Sequence, residues 1–188
     1  MVAERSAFGA ETAHGYVVGQ NLFCSAKNEQ CFCASERRTP NTEREKVNGE
    51  RLMRFTKTFS IPEDAIDELG HVSNVKYIAW MQEIAIEHSA AQGWPVERYL
   101  QSGAVWVVRS HFVTYLRPAF QGETITLQTW VAEIKQRSSL RKYLVLRTND
   151  QSVLVQAETN WVYVDRQSGR PLRIPDDLRG AFDSIIEE

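Results

Sequence analysis

The run Asp67-Glu68-Leu69-Gly70-His71-Val72-Ser73-Asn74 places a carboxylate, a glycine and an imidazole directly before an apolar, helix-like segment. Those residue types can carry out acyl transfer. A carboxylate serves as a nucleophile or as a base toward water. The first turn of a helix offers unpaired N–H donors and partial positive charge, both of which stabilise a developing oxyanion. Read alone, the segment fits a turn or cap at least as well, because Asp commonly closes turns and caps helices. Asp64 and Glu68 read as solvated carboxylates, either one able to substitute as a second carboxylate should Asp67 be buried and paired.

Positioning such a segment requires a rigid frame, and the flanking sequence supplies one. Phe55 and Phe59 alternate with Lys57, as in a strand. From Asn74 to about Gln92 the pattern is helical. Lys76, Glu83 and Glu87 form one narrow polar stripe, while Tyr77, Ile78, Trp80, Met81, Ile84, Ala85 and His88 cover most of the rest. A helix apolar over so much of its circumference must be enclosed. Ser73 or Asn74 suits the N-cap; Gly93 and Pro95 suit the stop. Strands are expected over Val105–Leu116, Thr124–Ile134, Leu140–Thr148 and Val153–Val164, the last two joined by the polar loop Asn149–Ser152. Short connections between successive strands favour an antiparallel sheet around the helix.

The composition narrows the function. With 188 residues and a net charge of −2, the chain has room for one core domain and lacks the basic excess of a nucleic-acid binder. No apolar run reaches the roughly 20 residues of a membrane span, and the N-terminus has no secretory pattern. Cys24, Cys31 and Cys33 all precede the patterned region, so a reducing compartment such as the cytoplasm is expected, with no disulfide framework. Their spacing, even with His14, matches no zinc pattern, and no metal is expected. Residues 1–50 read as a disordered extension, or as the product of a mis-assigned start with Met53 as first residue; residues 51–188 read as the domain.

The longer string IDELGHVSNVKYIAWMQEIA resembles the signature of hot-dog thioesterases, both the 4-hydroxybenzoyl-CoA thioesterase family and one repeat of the plant-type acyl-ACP thioesterases. YLRPAFQGETITLQTWV and AETNWVYVDRQSGRPLRIP resemble later strands of the same superfamily, so the likeness runs from about Phe55 to Pro175. It implies an α+β hot-dog fold, a long central helix wrapped by a curved antiparallel sheet. It also implies hydrolysis of an acyl-CoA thioester without a cofactor, with acyl-ACP hydrolysis or non-catalytic acyl-thioester binding as alternatives. The assembly would be a homodimer or homotetramer with sites at subunit interfaces.

Carried over by position, Asp67 matches the catalytic carboxylate, Gly70 the turn glycine and Asn74 the residue whose backbone N–H polarises the carbonyl. His71 matches the histidine of the acyl-ACP motif. Arg137, Ser138 and Ser139 are the closest match to a carrier-phosphate site, and Trp80 is the candidate pocket wall. Two positions depart from the pattern: Leu69 stands where the acyl-ACP motif has asparagine, and Ala65 where CoA-specific relatives often have Asp. The Asp-x-Asn-Pro-x-His run of hot-dog hydratases is absent.

Overall fold

The computed structural model describes residues 54–183. The expectations for residues 1–50, Met53 and the three cysteines lie outside them. β1 (Phe55–Ser60) leads through a 3-10 turn (Glu63–Ala65) to the long helix α1 (Asn74–Ala91). A short helix α2 (Val96–Ser102) precedes four strands: β2 (Ala104–Tyr115), β3 (Thr124–Ile134), β4 (Ser138–Arg147) and β5 (Val153–Asp165). Helix α3 (Asp176–Asp183) follows.

The strands form one sheet in the order β1-β3-β4-β5-β2, and each neighbouring pair is antiparallel. Register shifts at Val108/Ser110, Val131/Glu133 and Val145/Leu146 put bulges into three of the pairings. Bulges bend strands and increase twist, which is how a sheet curves around a helix. The helix packs on the inner face. Tyr77, Met81, Ile84 and Ala85 from α1 join Ile125, Leu127, Tyr143, Val145 and Val155 from the strands in the main core. Full burial of a Met81 or Ile84 side chain contributes about 1.5–3 kcal/mol. This is the expected α+β arrangement of one long helix held by a curved antiparallel sheet.

Three expectations need correction. The helix is not fully enclosed within one chain: Val75 and Ile86 are 66% and 44% exposed, because one sheet can cover only one side of a helix. Ser73 occupies the N-cap, but its side chain makes no capping hydrogen bond. Two further helices exist. Pro95, which ends any continuation of α1, is also the N-cap of α2, and Gly103 closes α2 with φ of 73°. Trp94 and Tyr99 pack with Val131, Tyr163, Ile174, Leu178 and Phe182 in a second core beside α2 and α3.

Candidate active site

The chemistry-bearing segment is a closed turn. Ile66 and Val72 form an isolated bridge, Asp67 N–H donates to His71 O at 2.9 Å, and Gly70 N–H donates to Asp67 O at 3.0 Å. Gly70 sits at φ 80°, the left-handed conformation that a glycine adopts without penalty. The carboxylate is held by the same turn: Leu69 N–H donates to Asp67 Oδ1 at 2.9 Å. Its other oxygen, Oδ2, lies 3.5 Å from His71 Nδ1. Both side chains are about one-third exposed, 32% for Asp67 and 36% for His71, so solvent can reach them.

Two backbone bonds join this turn to its surroundings. Val72 N–H donates to Ala119 O and Ser73 N–H donates to Ala65 O, both at 2.9 Å. Helix α1 then starts with its first N–H groups uncapped by any side chain. Asp67, His71, Val72, Asn74 and Tyr77 line one wall of a cleft of about 390 Å³, and Tyr115, Leu116, Arg117 and Pro118 line the other. A carboxylate and a helix N-terminus therefore face one space, the pairing that acyl transfer needs.

The opposite wall comes from the end of β2. Tyr115 Oη donates to Asn74 O at 3.2 Å, tying that strand end to the helix start. Arg117 is anchored by its bond to Val153 O at 2.7 Å and brings positive charge to the rim. Tyr77 is buried, and burial, with Glu123 adding to it, pushes its phenol up to about 12, so the hydroxyl stays protonated.

Of the residues expected from sequence, the structure brings Asp67, Gly70, His71 and Asn74 together. Trp80 does not line the cleft. It packs edge-on against Phe59 and Tyr77, at 5.0 and 5.5 Å between ring centroids, and so supports the wall from behind. Arg137, Ser138 and Ser139 lie elsewhere. Ser138 pairs with Val162, which pairs with Val107, whereas the cleft abuts Tyr115 at the other end of β2. Eight residues of strand separate the two levels, about 26 Å. Ser139 is buried, and Arg137 is exposed on the β3–β4 turn. Asp64 is mostly exposed and paired with Lys76.

Tyr77, Tyr115 and Arg117 were not apparent as site residues in the sequence. Tyr77 reads there as one more apolar position of the helix, and Tyr115 and Arg117 as the fraying end of a strand. The signal that could have found them is the strand order, which brings the end of β2 to the start of α1.

Residues 53–182 match the model of the acyl-ACP thioesterase N-terminal domain. The chloroplastic palmitoyl-acyl carrier protein thioesterase of Cuphea hookeriana is 25% identical over 135 residues, covering 69% of this chain and 32% of that protein. The long-chain acyl-CoA thioesterase FadM of Escherichia coli (strain K12) is 19% identical over 125 residues, covering 65% of this chain and 92% of that one. The chain thus spans about a third of the length of the plant relatives it matches. Among solved structures, the 12:0-ACP thioesterase from Umbellularia californica aligns with a TM-score of 0.64 and 21% identity, over 72% of this chain and 51% of that one. A Staphylococcus aureus protein solved in complex with CoA aligns with a TM-score of 0.68 and 12% identity, over 76% and 91%. Likenesses at such identities speak to the fold, and the fold is the hot dog. With residues 53–182 inside the family model, the chain belongs to the acyl-ACP thioesterase family and carries its N-terminal domain.

Proposed function

We propose that the protein hydrolyses an acyl thioester to a free acid and a thiol, with Asp67 and the start of α1 as its working parts. The observation that carries this reading is the shared cleft, in which the Asp67 carboxylate and the uncapped N-terminus of α1 line one space. The thioester carbonyl oxygen accepts a hydrogen bond from the Asn74 N–H, where the helix dipole favours the negative charge that develops. Asp67 Oδ2 either attacks the carbonyl carbon or removes a proton from the attacking water. The carbon–sulfur bond breaks and the thiolate leaves, protonated by Asp67 or by water; on the nucleophilic route a water then cleaves the acyl–Asp67 anhydride, which releases the free acid and restores the carboxylate. His71, 3.5 Å from Oδ2, positions the carboxylate.

Release of free thiol from a panel of acyl thioesters tests the reading. Asp67→Asn should lower kcat/KM by about 100-fold or more, the scale of losing a positioned base or nucleophile. Equal rates for the two proteins would sink the role of Asp67. Ligand binding without turnover in both would favour a non-catalytic acyl-thioester-binding role instead.

The carrier is either coenzyme A or an acyl carrier protein. The family model and the plant relatives favour the carrier protein, while FadM is named for CoA substrates and Leu69 departs from the acyl-ACP motif. The same acyl group presented on each carrier separates the two by kcat/KM. A second copy of the chain belongs in this reading as well. β2 is a 12-residue strand at the sheet edge, with Val107, Phe112 and Tyr115 exposed. A free edge of that length and character is a template for strand pairing. Two-fold pairing through it sets the Arg137 end of one sheet beside the Asp67 end of the other.

A further inference from the structure

We propose that the Tyr77 hydroxyl is a specificity-determining donor for an oxygen on the acyl chain itself, three bonds beyond the thioester carbon. The cleft would then favour 3-hydroxyacyl or 3-oxoacyl groups over unsubstituted alkyl ones. This inference rests on the thioesterase reading and names the substrate class of that same site.

Tyr77 is 3% exposed, and its hydroxyl has no hydrogen-bond partner among the described residues. A buried hydroxyl without a partner is unfavourable, and polar groups left this way in a native fold call for a reason. Other buried side-chain groups share the condition, namely those of Tyr99, Trp130, Tyr143 and Trp161. None of these lines the cleft, whereas Tyr77 does.

The position suits an acyl oxygen. Tyr77 stands three residues after Asn74 on α1, a rise of about 4.5 Å. Aromatic side chains on a helix lean back toward its N-terminus. The hydroxyl therefore serves the first few carbons of an acyl group whose carbonyl sits at the Asn74 N–H. Its cover is light. The Tyr115 ring packs against it at 5.8 Å between centroids, and Tyr115 is half-exposed and tied by one bond of 3.2 Å. A phenol held protonated by burial can only donate when it meets a carbonyl oxygen, and either donate or accept when it meets a hydroxyl.

The test compares kcat/KM for 3-hydroxyacyl-CoA, 3-oxoacyl-CoA and the unsubstituted acyl-CoA of equal chain length, on wild type and Tyr77→Phe. The readout is the ratio of each oxygenated substrate to the plain one. Wild type should show a ratio well above one, and Tyr77→Phe should lower it by about tenfold or more, because a site built around a hydrogen bond discriminates against its absence. The arm that loses more identifies which oxygen is read. A ratio unchanged by Tyr77→Phe overturns the proposal while leaving the thioesterase reading intact. If wild type releases no thiol from any thioester, that reading fails separately. Calorimetric titration with the free 3-hydroxy, 3-oxo and unsubstituted acids then decides: an affinity advantage of the oxygenated acids that Tyr77→Phe abolishes supports the proposal, and no advantage overturns it. Retention of the melting temperature in Tyr77→Phe confirms an intact fold.

Discussion

At the scale of single residues, the Asp67 carboxylate is held in place by its own turn. One carboxylate oxygen is engaged by Leu69 N–H, and the other is left toward His71 and the cleft. His71→Ala should lower kcat by about tenfold through loss of orientation, and His71→Gln should recover much of that loss, since an amide can brace a carboxylate but cannot exchange a proton as imidazole does. Steady-state kinetics on both variants checks this. A second residue pair matters to stability and not to the site. Arg141 is buried and donates to His88 Nδ1 at 2.8 Å and to Thr129 Oγ1 at 3.3 Å, with no carboxylate beside it among the described residues. Burial first, then the Arg141 charge, pull the His88 imidazole down to about 3. In the unfolded chain an imidazole titrates near 6.5, so there it binds a proton that the folded state refuses. The stability contributed is complete above about pH 6.5 and is lost as pH falls toward 3. Urea unfolding at pH 7 and pH 4 should show a decline that shrinks by about 3 kcal/mol in the double variant His88→Leu/Arg141→Met.

At the scale of elements, the glycine turn and the start of α1 form one device. Gly70→Ala places a Cβ that would meet nothing within 4 Å, so its cost is purely conformational. At φ 80° that cost is about 1–2 kcal/mol. A turn that relaxes to avoid it moves Asp67, so activity should fall further than the melting temperature implies; parallel kinetics and thermal unfolding read the two effects. The turn and the helix were legible from sequence because their signals are local: Asp, Gly and an apolar period read within a few residues of one another. The strands were legible for the same reason, with β4 extending two residues beyond the expected start, from Leu140 back to Ser138. What stayed hidden is non-local. Tyr115 and Arg117 join Asp67 through the β1-β3-β4-β5-β2 order, which no period in the chain encodes. Helix α2, at seven residues, is too short for its period to stand out, and α3 is announced by little more than Pro175 before two aspartates.

At the scale of the whole molecule, β2 and α1 both carry exposed apolar side chains. Phe112 is 72% exposed on β2, and Val75 and Ile86 are exposed on α1. Phe112→Lys should shift the protein toward monomer in sedimentation or light scattering, because charge on an edge strand opposes edge pairing. Activity should fall with it if the site is completed by a second chain. The distance between Arg137 and the cleft, about 26 Å along the sheet, has a further consequence. If Arg137 serves the neighbouring chain's Asp67, two inactive proteins can repair one another. Unfolding and refolding Asp67→Asn together with Arg137→Ala in equal amounts would form mixed dimers in about half of the population. Each mixed dimer holds one site with both residues intact and one with neither. Activity should then return to about a quarter of the wild-type level, a genetic-style complementation carried out in a test tube.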